Sequence, residues 1–351
     1  MLHGFFSDRR LELLSFDGGA AVPRRFTDAP AEHLATRSSA GLFDFSFMGI
    51  FEFRGPRSRD YLERVQTRNL SLLPPGRLLY TLLLREDASV FNDATVWCHA
   101  PDRYWLFTGR RGDRAWLQDK LRDGDQPLTC LSGEHAILAL QGPRCGEILQ
   151  QALEDAPSNL PRYFSFQQAR LANAPALVGR LGYSGERGFE IIVPAKAGAL
   201  AWKRLLKAGA ALGVRECGFD AANSLRVESG YILFSHELAA GADPFELGLQ
   251  RLATGREFIG AAALARNRWT GPRQRLVGLL PSQSRRSSGA LPEALLTSEA
   301  YSPVLDRPLG LGFAPAAHAA PGTLLRLADG RLARIARLPF YDPGRVLPRQ
   351  P

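Results

Sequence analysis

Two carboxylates lie in stretches that otherwise read as apolar strand: Asp93 in FNDATVW, Phe91 to Trp97, and Glu190 in GRLGYSGERGFEIIVP, Gly179 to Pro194. An unpaired carboxylate buried in such a setting costs on the order of several kcal/mol, so each either faces water at a strand end or turn, or meets a compensating group. Held in a site, a carboxylate can accept two parallel N–H donors, stabilise a cation or move a proton. Other chemistries have less to stand on. Gly182, Gly185 and Gly188 are spaced GxxGxxG and lead into a strand, whereas the dinucleotide fingerprint opens a helix. They predict a tight turn that brings backbone close to a flat ligand. Cys98, Cys130, Cys145 and Cys217 form no CxxC pair, and His33, His99, His135 and His236 match no ligand spacing, so no metal site is expected. Ser184 falls outside the GxSxG frame because Gly185 follows it directly, so a covalent hydrolase is not indicated.

Positioning such groups takes a large framework. The 351 residues exceed one ordinary core and predict two or three domains. The formal charge is +9, from 44 basic against 35 acidic residues, and all but four of the basic residues are Arg. Guanidinium is the better partner for carboxylate and phosphate, which favours an anionic ligand. Basic residues are scattered, with short pairs at Arg24-Arg25, Arg110-Arg111 and Arg285-Arg286, so no nucleic-acid partner is expected. No apolar run approaches the length of a membrane span and no export signal opens the chain, which predicts a soluble cytoplasmic protein with no membrane partner.

Residues 1 to 30 read as a strand and turns, and Ala31 to Ser39 as a short helix. A strand ending at Gly55-Pro56 and a helix with Tyr61, Leu62 and Val65 on one face come next. Arg77 to Phe107 reads as a three-stranded meander, with Asp93 on the sheet face shared by Phe91 and Thr95. After a helix over 113–122, the strand HAILALQ, Gly142-Pro143 and another helix repeat the earlier strand, Gly-Pro, helix order. That predicts a pseudo-repeated α+β arrangement with mostly antiparallel strands. Strands over 176–182 and 188–193, a helix over 196–211 and a helix bearing Arg226 follow. Residues 263–273 read as a linker between a region 1–262 and a small β-barrel or sandwich, 274–351, with turns at Pro303, Pro308, Gly310, Pro321-Gly322 and Asp329-Gly330.

In order, the phrases GLFDFSFMG, GPRSRDYLERVQTRNL, PPGRLLYTLLLRED, NDATVW, LALQGP, GYSGERGFEIIVP, LRVESGYILFSHEL, DPFELGL, REFIG, TSEAYSPVLDRPLGLGF and PFYDP run through almost the whole chain. Together they resemble the glycine cleavage system T-protein family, the tetrahydrofolate-dependent aminomethyltransferases and their relatives. The resemblance implies a three-lobed folate-binding fold, two lobes in 1–262 and a C-terminal β-barrel lobe, with tetrahydrofolate or 5,10-methylenetetrahydrofolate in a central channel. It implies that Asp93 is the catalytic acid beside the reacting nitrogens, that Glu190 grips the pterin, and that Tyr80, Tyr183 and Arg226 line the folate channel. For Arg226 a structural ion pair is the competing reading. The physical case agrees for the carboxylates: a pterin edge shows an amide N–H and an amino group that Glu190 can accept together, and iminium-like species in one-carbon transfer suit a fixed anion at Asp93. Arginines at the channel mouth suit the folate glutamate tail.

Departures from the family phrases narrow the donor. Phe47 stands where relatives commonly carry His in SHMG, Thr108 opens a segment that is usually Asn-rich, and Ala222 and Asn223 stand in a phrase that usually reads GARD. These changes bear on an aminomethyl group on a lipoyl carrier more than on folate. PFYDP resembles the folate domains of methylamine-oxidising relatives, which points to a small N-methylated or aminomethyl donor, with a carrier protein or amine-oxidising protein as a possible partner. The alternatives are an O- or S-demethylase of the same family, or a folate-binding protein without transferase activity. Relatives that maintain iron-sulfur proteins carry a Cys-containing KGCYTGQE-like phrase, where this chain reads ATGREFIGAAAL. Asp93 itself argues for chemistry, since a pure binder has little use for a carboxylate at the transfer position.

Overall fold

Alternation along two strands sets the frame for the site. The computed structural model describes residues 2–155, 159–255, 257–283 and 290–350; the pair Arg285-Arg286 lies outside them. In the strand Val90–Ala100, Ala94, Val96 and Cys98 pack against the helix Ser58–Val65. Thr95 and Trp97 share the opposite face, the indole N–H donating to the Thr95 hydroxyl at 3.0 Å. In the strand Gly188–Pro194, Phe189, Ile191 and Val193 pack beneath the helices Cys145–Ala152 and Gly198–Gly209, while Ile192 points the other way. Period-two alternation therefore sets Asp93 with Thr95 and Glu190 with Ile192.

Those faces belong to two sheets packed against each other. One has five strands in the order Leu78–Leu84, Val90–Ala100, Arg103–Thr108, Gly49–Arg54, Thr129–Cys130. The other has six, in the order Phe166–Leu171, Ala174–Gly179, Gly188–Pro194, His135–Gln141, Ala40–Asp44, Val214–Glu216, and only its last pair is parallel. Between them Phe43, Ile50, Trp97, Phe107, Ile137 and Ile192 form an aromatic-rich core. Gly179 allows the close approach, since a Cβ there would lie 2.1 Å from the Trp97 ring.

Each sheet repeats one plan: a strand, a helix, then a meander whose last strand returns beside the first. The repeat signalled by Gly55-Pro56 and Gly142-Pro143 reaches the backbone, both glycines holding φ at 130°. A Cβ on Gly142 would meet the Ser39 carbonyl at 2.5 Å. The two units interlock. Ala40–Asp44 runs into the first unit but pairs with His135–Gln141 of the second, and Thr129–Cys130 runs into the second but pairs with Gly49–Arg54 of the first.

The third lobe is a closed barrel, ordered Gln274–Pro281, Arg307–Pro315, Glu293–Ser302, Leu324–Leu327, Leu332–Ala336, whose interior is filled by Val277, Leu279, Leu325 and Ile335. It is pinned to the helix Phe219–Glu228. Glu228 accepts from Arg37 at 2.7 Å and from the Ser302 hydroxyl, joining the helix Ala29–Ser38 to the barrel. Arg37 also reaches Glu186 in the glycine turn, at 3.0 Å.

Besides the short strands Thr129–Cys130 and Val214–Glu216, three elements differ from the reading of the sequence. Leu2–Ser7 is a helix, held by Leu2 and Phe6 in the core, Phe6 lying edge-on to Trp202. The strand Phe166–Leu171 falls in a segment for which the sequence reading names no element. Residues 263–273 are mostly covered by the helix Ala261–Thr270, whose Ala-rich start favours helix and which buries only Ala263 and Leu264, too few to leave a clear periodicity. Among the described residues no helix is long and apolar enough to cross a membrane.

Candidate functional site

Where both sheets meet the barrel, the shared core gives way to a cavity of about 1120 Å³. Its wall takes Tyr80, Asp93 and Thr95 from the first sheet, Glu190 from the second, Tyr183 from the glycine turn, and Leu276 and Leu338 from the barrel lobe. Sites of this size and mixed lining take molecules of drug or cofactor size. Four of the five residues expected at the site are thus brought together.

Glu190 is 5 % exposed, and among the described residues nothing donates a hydrogen bond to its carboxylate or pairs with it. Burial, with nothing to offset it, pushes its carboxyl up to about 7. The unpartnered group faces the cavity, so a ligand with paired N–H donors would complete it. A stability effect follows. Because the folded pKa lies above the unfolded one, the folded chain holds more protons between about 4.5 and 7, and stability falls as pH rises across that window. Glu190→Gln is therefore expected to melt higher than the parent at pH 8 in the absence of ligand, by roughly 1–3 kcal/mol, with the gap closing at pH 5. Thermal unfolding of both proteins at the two pH values checks this.

Asp93 is held differently. The Tyr80 hydroxyl donates to its Oδ2 at 2.9 Å, and its own amide N–H donates to Asn92 Oδ1 at 2.9 Å. Asn92 in turn donates to Asp113, which pairs with Arg110 at 3.1 Å. Burial pushes the Asp93 carboxyl up to about 6, the Tyr80 bond opposing the shift and the Asp113 charge adding to it. Burial also raises the Tyr80 hydroxyl well above its usual range, so it remains a donor to Asp93. The result is an oriented anion at neutral pH with a proton affinity suited to taking up and returning a proton.

Tyr183 stacks on Tyr231, ring centroids 5.9 Å apart and planes 25° from parallel, with its hydroxyl donating to the Ile232 carbonyl at 2.5 Å. Tyr231 also lines the cavity. The glycine turn serves the protein's own side chains more than a ligand. A Cβ on Gly188 would meet Gln141 Oε1 at 2.3 Å, one on Gly185 would meet Ser229 Oγ at 2.1 Å, and Gly185 holds φ at 80°. Only Gly182 of the three lines the cavity.

Arg226 is the residue the structure does not bring to the site. It is fully buried, with Nη1 on Glu237 at 2.8 Å and on the Tyr231 carbonyl at 3.0 Å, Nη2 on Ser298 at 2.6 Å, and Nε on Asn223 at 2.9 Å. One of these contacts, to Ser298, joins its helix to the barrel strand Glu293–Ser302, and the others tie down the helix and the segment that follows it. Arg226→Ala leaves Glu237 buried without its cation, though still accepting from the Leu233 amide and the Thr297 and Ser298 hydroxyls, for an expected loss of roughly 3–5 kcal/mol in denaturant unfolding. Ligand affinity of the folded fraction should change little.

The departing positions separate in the same way. Phe47 and Thr108 line the cavity, Phe47 stacking on Phe16 with centroids 4.1 Å apart. Ala222 is packed in the inter-sheet core and Asn223 holds Arg226, so neither faces the ligand space. Tyr231, Asn92 and Arg68 are site residues that sequence reasoning passed over. Tyr231 stands in the matched phrase LRVESGYILFSHEL, which could have flagged it.

Comparison with known proteins gives a consistent result. Residues 13–255 match the family model described as the GCVT N-terminal domain. The aminomethyltransferase of Symbiobacterium thermophilum is 36% identical over 345 residues, covering 92% of each chain. That of Geobacillus thermodenitrificans is 38% identical over 341 residues, covering 92% of this chain and 93% of its own. Among solved structures, the glycine cleavage system aminomethyltransferase T from Bartonella henselae superposes with a TM-score of 0.82 at 26% identity, covering 97% of each chain.

Proposed function

Because the chain belongs to the GCVT family of aminomethyltransferases, a family of tetrahydrofolate-dependent one-carbon transferases, we propose that its cavity moves a one-carbon unit between a small N-linked donor and tetrahydrofolate. The observation that carries the reading is the buried, unpartnered carboxylate of Glu190 in the wall of a cavity large enough for a folate. Its two oxygens accept the amide N–H and amino group of a pterin edge, which is the pattern that relieves a buried anion. Tyr183 and Tyr231 offer flat faces and Tyr80 a further ring. Tetrahydrofolate, when bound, supplies the nitrogen that accepts the one-carbon unit.

Asp93 then has two tasks. Its charge, fixed by the Tyr80 hydroxyl and by the Asn92 contact behind it, stabilises positive charge developing at the donor nitrogen. Its carboxylate also takes and returns the proton that moves at nitrogen as the unit is transferred. Phe45, Phe47, Phe219 and Phe234 make much of the remaining wall apolar, which suits methyl-bearing nitrogen. A carrier protein that delivers the donor group fits the rim, where Leu72, Arg251 and Arg349 are exposed. Incubating the protein with tetrahydrofolate and a panel of methylated amines, ethers and thioethers tests the donor class. Folate-dependent loss of methyl from N-linked donors supports it, and loss only from ethers or thioethers overturns it.

A further inference from the structure

Behind Asp93 an ion pair is tied to the same stretch of backbone. The register of Val90–Ala100 against Leu78–Leu84 shifts at Phe91, Val90 pairing with Leu84 and Asn92 with Leu83. Such a bulge re-aims the side chains beside it. Asn92 is fully buried, its Oδ1 accepting the Asp93 amide N–H at 2.9 Å and its Nδ2 donating to Asp113 Oδ2. An ionised carboxylate only accepts, so Asp113 takes the amino end of the Asn92 amide and leaves its oxygen for Asp93. Asp113 opens the helix Asp113–Asp119 and is 2 % exposed, and its other oxygen pairs with Arg110 Nη2 at 3.1 Å.

The loop that carries Arg110 is held in turn. Thr108, paired with Ala94 next to Asp93, donates its hydroxyl to the Arg110 carbonyl at 2.8 Å. The guanidinium carbon lies 5.1 Å from the Phe91 ring centroid and 5.6 Å from that of Phe234, a residue of the cavity wall. Phe234 is seated against Gly109, where a Cβ would meet its ring at 2.5 Å. The pair therefore bridges the cavity wall and the backbone that carries Asp93.

Few groups face Asp93 itself. Tyr80 donates to it from the neighbouring strand, and Tyr183 in the glycine turn has its hydroxyl committed to the Ile232 carbonyl. Glu190 and Arg68 line the same cavity from other elements. Asp113 is the anion behind the strand, and its charge adds to the proton affinity of the Asp93 carboxyl. Arg110, its side chain 31 % exposed, offsets that charge in part.

We propose that Asp113 and Arg110 form a positioning pair for Asp93, fixing its backbone through Asn92 and setting, by two opposed charges, its readiness to take a proton. The inference deepens the transferase reading above and rests on Asp93 as the group that moves the proton there.

The test is NMR of the ligand-free, full-length protein carrying a carbon isotope label at aspartate Cγ, followed against pH, with the Asp93 signal identified by its loss in Asp93→Asn. The parent carboxyl is expected to titrate at about 6. Asp113→Asn keeps an acceptor for Asn92 but removes the anion, so the midpoint should fall by roughly half a pH unit or more. Arg110→Gln uncovers the anion and should raise the midpoint by a similar amount. Arg110→Lys should stay near the parent, and the double variant Arg110→Gln, Asp113→Asn should lie between the single ones. Packing alone gives no reason for opposite signs, so opposed shifts support the pair. Midpoints that move in one direction, or that stay put in variants melting like the parent, overturn it. If Asp113→Asn does not fold, Arg110→Gln decides alone, a rise supporting the pair and a fall or no change overturning it. The readout needs neither folate nor donor: opposed shifts in a protein that transfers no one-carbon unit to tetrahydrofolate sink the transferase reading while leaving the pair standing.

Discussion

Asp93→Asn is expected to retain tetrahydrofolate and lose most turnover, by roughly 10²–10⁴-fold, the range for a positioned acid–base group. Asparagine keeps the shape and still accepts from the Tyr80 hydroxyl through its amide oxygen. What it lacks is the charge that stabilises a cationic nitrogen and the site that takes a proton. The pH profile of the parent carries the same signature. With the carboxyl at about 6, turnover should decline as pH falls through that value, and Asp93→Asn should flatten this limb. Single-turnover transfer measured with folate saturating separates chemistry from binding. A variant that loses affinity in proportion to rate would place Asp93 among the binding groups.

Glu190→Gln is expected to do the reverse, weakening tetrahydrofolate by roughly 10- to 100-fold while leaving the rate at saturation much less affected. The amide presents one acceptor and one donor to a pterin edge that offers two donors, so one contact is lost and another becomes repulsive. Affinity should also depend on pH in a fixed direction. The free carboxyl titrates at about 7 and only the ionised form accepts both N–H groups, so affinity rises as pH climbs through 7. Glu190→Gln should abolish that rise. Equilibrium titrations of parent and variant between pH 6 and 8.5 check both statements.

How much of this was legible depended on how local the cause was. Asp93, Glu190 and Tyr80 stand in strands whose alternation is written in the sequence, and alternation alone puts both carboxylates on the inner faces of their sheets. Tyr183 is located by the glycine turn beside it. Arg226 shows the opposite case. A helix residue at that position can face the ligand or the barrel, and the outcome is decided by Glu237 and Ser298, the latter 72 positions away. Arg68 sits in a turn with no periodic pattern, and that its buried Nε meets no partner among the described residues is a fact of three dimensions. The exchange of Ala40–Asp44 and Thr129–Cys130 between sheets was equally hidden, since each strand leaves the unit it adjoins. The N-terminal helix follows the same rule, its stability coming from Trp202 and neighbouring core residues, with little from its own six residues.

The central claim is that this cavity binds tetrahydrofolate through the Glu190 carboxylate. Calorimetric titration of the ligand-free protein with tetrahydrofolate at pH 7.5, repeated on Glu190→Gln, tests it most directly. Saturable one-to-one binding that is markedly weakened in the variant is the predicted result. An absence of binding to the parent, or equal affinity in the two proteins, would contradict it.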